Sequence, residues 1–103
     1  MPKAKVVLLT EARLQLRDIA MIHRAKVGPQ SAKKITDQIL KALHRLEDFP
    51  LLGVEPKSQR LVKAGYRMLI VGEYLCFYRI ESNVIYVSLI VHGSVDYVKW
   101  LLE

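Results

Sequence analysis

Between Gly65 and Tyr97 the chain reads GYRMLIVGEYLCFYRIESNVIYVSLIVHGSVDY. Runs rich in branched and aromatic residues, about Tyr66–Val71, Tyr74–Ile80 and Val84–Val91, are divided by turn signals, which predicts three consecutive antiparallel strands. Gly72-Glu73 suits a two-residue hairpin turn with glycine at the first central position. Glu81-Ser82-Asn83 supplies the next turn, with Asn83 as the residue that tolerates positive φ. The short first turn sets Val71 opposite Tyr74, so Arg67 shares a face with Cys76 and Tyr78 while Arg79 lies on the other. A cation within a strand is costly unless its face is wetted. Arg67, Arg79, His92 and Tyr97, inside or at the rim of this sheet, therefore predict a working surface.

Upstream of the strands the periodicity changes. Lys5–Leu9 is a short β-rich run, and Thr10 is placed to cap a helix, with Glu11 in its first turn. Ala12, Leu16, Ile19, Ala20 and His23 then fall at helical spacing, with Arg13, Arg17 and Arg24 on another side. Gly28 ends this helix and Pro29 begins the next. In the second helix Ala32, Ile35, Ile39, Ala42, Leu43 and Leu46 form an apolar stripe, flanked by Lys33, Lys34, Asp37, Lys41 and Arg45. So short a connection predicts an antiparallel helical hairpin. Phe49-Pro50 stops the second helix. Leu51 to Ala64 reads as an irregular crossing or an extra edge segment, and Asp96 to Leu102 as a short helix or a tail packed on the sheet.

The predicted fold is one α+β domain, β-α-α-β-β-β. The helical hairpin covers one face of a small antiparallel sheet that includes the first strand, and the other face is at least partly open. If Phe77 is central to the buried side, its loss to alanine is expected to cost about 3–5 kcal/mol.

Composition narrows the functions. A chain of 103 residues, half hydrophobic and a quarter charged, can bury a core and is not a disordered segment. Its longest apolar runs fall far short of the roughly 20 residues of a membrane-spanning helix, and no signal-peptide pattern opens it. With the single cysteine, Cys76, an internal disulfide is excluded, and the expected compartment is the cytoplasm. The net charge of +6 favours an anionic partner. Its distribution says more: residues 1–45 hold ten Lys/Arg against three Asp/Glu, and residues 46–103 hold six against seven. The excess belongs to the hairpin, where the cations either form a solvated helix face or meet a partner.

Few side chains invite chemistry. His92 closes the last strand, where it can act as a general acid or base, or order the tail against Asp96. Tyr97 can stack on a base or pack over the sheet edge. Arg67 and Arg79 can bind phosphate or pair with Glu73, Glu81 or Asp96, and on opposite faces they cannot form one clamp. Cys76 reads as a small buried hydrophobe. His23 and His44 have no metal-ligand partner at useful spacing, and there is no phosphate loop, dinucleotide fingerprint or paired-carboxylate pattern. The residues alone leave a basic binding protein or a small nuclease that uses no metal or other cofactor.

Four segments together resemble the RelE/ParE family of toxins from bacterial toxin–antitoxin pairs. They are Leu-Thr-Glu-Ala (9–12), Leu-Glu-Asp-Phe-Pro-Leu-Leu-Gly (46–53), Gly-Tyr-Arg-Met-Leu-Ile-Val-Gly-Glu-Tyr-Leu-Cys-Phe-Tyr-Arg-Ile (65–80) and Val-His-Gly-Ser-Val-Asp-Tyr (91–97). The resemblance implies a growth-arresting toxin neutralised by a cognate antitoxin that wraps it with helical or extended segments. Such toxins either cleave ribosome-bound mRNA or poison DNA gyrase. The nuclease branch carries a cationic cluster on the open sheet face. Arg67 matches one basic position of it, but Leu75 and Leu89 stand where arginines are expected, leaving Arg67, His92 and Tyr97 as catalytic candidates. The resemblance therefore points first to gyrase inhibition through the hairpin and tail, with Arg13, Arg17, Arg24, Lys33, Lys34, Lys41, Arg79, Asp96 and Trp100 as contact residues. The alternatives are a ribosome-dependent mRNA endonuclease and an inactive binding protein of the same fold.

Overall fold

The computed structural model describes residues 3–102. Strand β1 (Lys5–Leu8) leads into helix α1 (Thr10–Lys26), and α2 (Pro29–His44) runs on into a single 3-10 turn, Arg45–Glu47. A connection carrying the short helix α3 (Gln59–Lys63) reaches strands β2 (Tyr66–Val71), β3 (Tyr74–Glu81) and β4 (Val84–His92), and helix α4 (Tyr97–Leu102) follows. The strands form one sheet in the order β1-β4-β3-β2. The fold is thus the expected α+β arrangement, except that β1 pairs parallel to β4 within an otherwise antiparallel sheet.

Local chemistry accounts for the hairpin. Gly28 adopts φ +139°, which side chains disfavour, and Pro29 occupies the first turn of α2, so α1 stops and α2 starts within two residues. Thr10 is not the cap of α1 but its first helical residue; Leu9 is the cap and no side chain bonds there. The reason lies in the strand. The Leu9 amide donates to the Val87 carbonyl at 2.9 Å, and the Leu9 carbonyl accepts from the Arg13 amide, so the ladder passes directly into the helix.

At the β3–β4 turn the positive φ falls on Ser82, at +55°, and not on Asn83. Asn83 is occupied otherwise: its carbonyl accepts from the Lys5 amide and its side-chain amide donates to the Lys3 carbonyl at 2.9 Å, seating β1. At the β2–β3 turn Gly72 has φ +59° and Val71 faces Tyr74, as expected.

A register shift in β4 sets the two faces. Phe77 pairs with Leu89 but Tyr78 pairs with Val87, so Ser88 is an extra residue. Ile85, Val87 and Ile90 therefore join Leu69, Cys76 and Tyr78 under the hairpin, against Ile19, Ile39, Leu43 and Leu46. Leu89 and Val91 turn to the opposite face with Phe77. That face is not open. Leu61 of α3 and Tyr97, Val98, Leu101 and Leu102 of α4 pack over it, and Phe77 is fully buried there, on the side away from the hairpin. The segment 51–64, expected to be irregular or an edge, is both edge and helix: Val54 bridges Met68 of β2, and Ser58 Oγ accepts from the Leu61 amide to cap α3.

Cys76 lies fully buried within the main core, and burial pushes its thiol up to about 12. The folded protein is expected to resist a thiol reagent such as 5,5′-dithiobis(2-nitrobenzoate) at pH 8 and to react fully once unfolded in guanidinium. Fast labelling of the native protein would contradict that burial. Because the folded value exceeds the ordinary 9.0, the associated stability is present below pH 9 and is lost progressively as the pH rises toward 12.

Candidate functional site

The structure disperses the three residues that a nuclease would use together. Arg67 sits at the start of β2, opposite Tyr78, whereas His92 ends β4 opposite Tyr74 and so lies level with Val71. Four residues of strand separate the two levels, roughly 13 Å at about 3.3 Å per residue, with β3 between them. Tyr97 lies on the other face, its ring 4.7 Å from that of Phe77.

Each of the three also has a local partner. The Arg67 guanidinium donates to the carbonyls of Gly53 at 2.6 Å and Leu51 at 3.1 Å. His92 Nδ1 accepts from the Ser94 amide at 3.1 Å and lies 2.8 Å from Ser94 Oγ. A ring nitrogen that accepts an amide hydrogen is unprotonated, so Nε2 carries the hydrogen of the neutral ring and faces Glu73 at 3.7 Å. The partner that orders His92 is therefore Ser94, and not Asp96. Asp96 instead accepts from the Lys99 amide at the start of α4. Arg79 pairs with Glu81 at 3.5 Å and lies 5.4 Å from the centroid of the Tyr66 ring.

Leu75 and Leu89, at the positions where arginines are expected, both belong to the apolar cluster under α3 and α4. Leu89 is 2 % exposed, and no polar or charged residue is buried among the described residues. This face is a dry contact between sheet and helices. Its two leucines offer no positive group to a phosphate, and the one arginine of β3 on this face, Arg79, is engaged by Tyr66 and Glu81.

The hairpin is the reverse case. Arg13, Arg17, Arg24, Lys33, Lys34 and Lys41 are all exposed, and none forms an ion pair among the described residues. Such charges are at liberty to meet an anionic surface. Trp100, on α4, is 55 % exposed, a large apolar group with one donor left at the surface.

Two further arrangements were not legible as sites. His23 Nε2 lies 3.0 Å from Tyr74 Oη, while its Nδ1 lies 3.2 Å from Ser31 Oγ, joining the end of the hairpin to the β2–β3 turn. Burial, and then the Glu73 carboxylate, raise the Tyr74 phenol above its ordinary value, so it remains a neutral hydrogen-bonding group. The second is the loop at 50–53. Tyr78 Oη donates to the Pro50 carbonyl at 2.8 Å and accepts from the Gly53 amide at 3.0 Å. Together with Arg67 it fixes a loop that leaves Phe49, Leu51 and Val54 exposed. The string Phe-Pro-Leu-Leu-Gly signals a helix stop, but nothing in it marks a buried tyrosine as the loop's anchor.

With this geometry in view, comparison with known proteins places the chain. A family model described as the ParE toxin of the type II toxin–antitoxin system parDE matches residues 6–97. The chain is similar in structure to a chromosomal ParDE toxin–antitoxin system from P. aeruginosa, with a TM-score of 0.75 at 17% identity, over 87% of this chain and 96% of that one. It is also similar to the RelBE2 toxin–antitoxin complex from Mycobacterium tuberculosis, with a TM-score of 0.64 at 22% identity, over 87% of this chain and 98% of that one. No curated protein matches it in sequence.

Proposed function

We propose a function from one premise: the chain belongs to the ParE toxin family of type II toxin–antitoxin systems. On our reading it arrests growth by binding DNA gyrase, is held inactive by a cognate antitoxin, and does not cleave RNA. The observation that carries this reading is the dry sheet face beneath α3 and α4. Metal-free cleavage of RNA needs a base for the 2′-hydroxyl, cations on the phosphate and an acid for the leaving oxygen, all within hydrogen-bonding reach of one phosphate. Here Arg67 and His92 lie on different levels, Tyr97 lies on the other face, and leucines stand at the two positions where arginines are expected. The exposed cations gather on the hairpin, which suits recognition of a macromolecular surface and supports inhibition by binding.

The test combines two assays. Purified toxin is expected to produce linear DNA from supercoiled plasmid only when gyrase is present, and to leave ribosome-bound mRNA intact. The His92→Ala variant is expected to retain gyrase activity within about threefold, since His92 contacts its own turn, Glu73 and the Tyr74 ring and none of the hairpin's exposed cations. Ribosome-dependent mRNA cleavage that vanishes in His92→Ala would replace this reading with the nuclease one. Undisturbed growth on expression without antitoxin would leave the inactive binding protein.

A further inference from the structure

Beside the β2 edge lies an apolar strip that belongs to neither core cluster. Phe49, Leu51, Leu52, Val54 and Ile70 are each at least 38 % exposed. At about 150–250 Å² for a whole large side chain, they leave on the order of 500 Å² of apolar surface, as much as the largest patch of an ordinary monomer. Leu52, Val54 and Ile70 also wall a cleft of about 290 Å³ that reaches Ala42 and Arg45 at the end of α2. The loop that carries Leu51 is clamped from within, because Tyr78 Oη and the Arg67 guanidinium hold the backbone of Pro50, Leu51 and Gly53. A loop already ordered gives up little freedom when its side chains are covered. The edge itself is nearly closed. Both the amide and the carbonyl of Met68 bond Val54 at 2.8 Å, which leaves Ile70 as the free position between that bridge and the β2–β3 turn. An added strand would gain one residue's hydrogen bonds there, too few to hold it.

We propose that this strip is the interface of a twofold dimer, its occupant a second copy of the same chain. The charges on its two sides select that partner. Arg45 stands in the hairpin layer, whereas Glu55 follows Val54, where the chain crosses the β2 edge toward α3 on the opposite face. Both are exposed, and neither forms an ion pair among the described residues. A twofold axis along the edge exchanges the two sides, so Arg45 of one protomer meets the partner subunit's Glu55, and the pair recurs by symmetry. The same operation seats Leu51 of each protomer in the cleft of the other. Water at the rim serves the Ile70 amide and carbonyl. An apolar strip of this size supplies most of the roughly 800 Å² that each partner buries in a stable interface, and the charged rim supplies the rest. None of the six exposed hairpin cations lines the cleft, so the dimer leaves them uncovered.

Sedimentation equilibrium of the isolated full chain tests the assignment. The wild type is expected to show the mass of two chains at about 100 μM and of one chain at about 1 μM. Leu51→Lys should weaken self-association at least about tenfold. Its side chain is exposed, so its melt at the lower concentration should match the wild type. If it fails that control, the charges carry the test. Arg45→Glu and Glu55→Arg should each be monomeric alone, because each sets like charges across the axis, and should form a dimer when mixed in equal amounts. The double variant Arg45→Glu/Glu55→Arg should dimerise again by itself. A wild type that stays monomeric at the higher concentration overturns the proposal. So does a dimer that neither Leu51→Lys nor the charge reversals weaken by more than about threefold, since it uses another surface. Loss in both charge variants without recovery on mixing overturns the twofold arrangement. A monomeric wild type whose binding to gyrase is lost in Leu51→Lys makes gyrase the occupant, which overturns the dimer and leaves the proposed function standing.

Discussion

Replacing Phe77 with alanine is expected to lower the unfolding free energy by about 3–5 kcal/mol, read as a shift of the urea midpoint with an unchanged slope. Phe77 is fully buried, and its ring is the centre of the smaller apolar cluster, between Leu61, Leu89, Val91 and Tyr97. Those neighbours come from α3, β4 and α4, all short elements that cannot rearrange as one body to refill the space. The cavity therefore persists, and its cost adds to the lost transfer energy. Since a domain of this size commands only about 5–15 kcal/mol in total, the variant should be marginally folded at 37 °C. A loss below about 1 kcal/mol would mean that α3 and α4 contribute little, and that the sheet face beneath them is wetted after all. The same measurement thus bears on the function. A face that is dry enough to penalise Phe77→Ala this heavily is too dry to hold a phosphate.

That face shows why the sequence was legible in part only. The β2 boundaries follow from residue types, because alternation ends at Gly72-Glu73 and a two-residue turn admits one register. The hairpin was equally plain: Gly28-Pro29 punctuates two apolar stripes. What failed was the count of faces. Strict alternation along β4 would place Leu89 and Val91 with Val87 under the hairpin, but the bulge at Ser88 turns them over. A serine in a strand gives no sign of being an extra residue. Helix α3 is one turn with one buried side chain, Leu61, too short to show a stripe, and only its Ser58 cap was available as a signal. For the candidate site, the hairpin's excess of cations could be counted directly. Which of them lack partners depends on how the helices pack. Arg67 illustrates the other limit. Its type suggested phosphate binding, yet tertiary contact with the carbonyls of Leu51 and Gly53 gives it a structural task.

Gly53→Ala is expected to destabilise the domain by about 1–3 kcal/mol, although the change adds a single methyl group. A Cβ built at this position would lie 2.6 Å from Tyr78 Oη, 2.9 Å from Tyr78 Cε1 and 2.8 Å from the Met68 carbonyl oxygen. None of these neighbours yields easily. Tyr78 is fully buried and tied to Pro50 and Gly53, and the Met68 carbonyl is held by the Val54 amide at 2.8 Å. The loop must therefore move away from β2, which also pulls the Leu51 and Gly53 carbonyls from Arg67. Tyr78→Phe alone should cost about 1–3 kcal/mol by leaving the Gly53 amide, which it had satisfied, unpaired. The two changes should not add. Removing Oη eliminates the 2.6 Å contact, while the Cε1 and Met68 contacts remain. Gly53→Ala should consequently be less costly in the Tyr78→Phe background, by more than the 0.3–0.5 kcal/mol typical of independent sites. Four denaturation curves complete the cycle. Strict additivity would mean that the loop relaxes without involving Tyr78, and that the buried hydroxyl is not what fixes Phe49, Leu51 and Val54 at the surface.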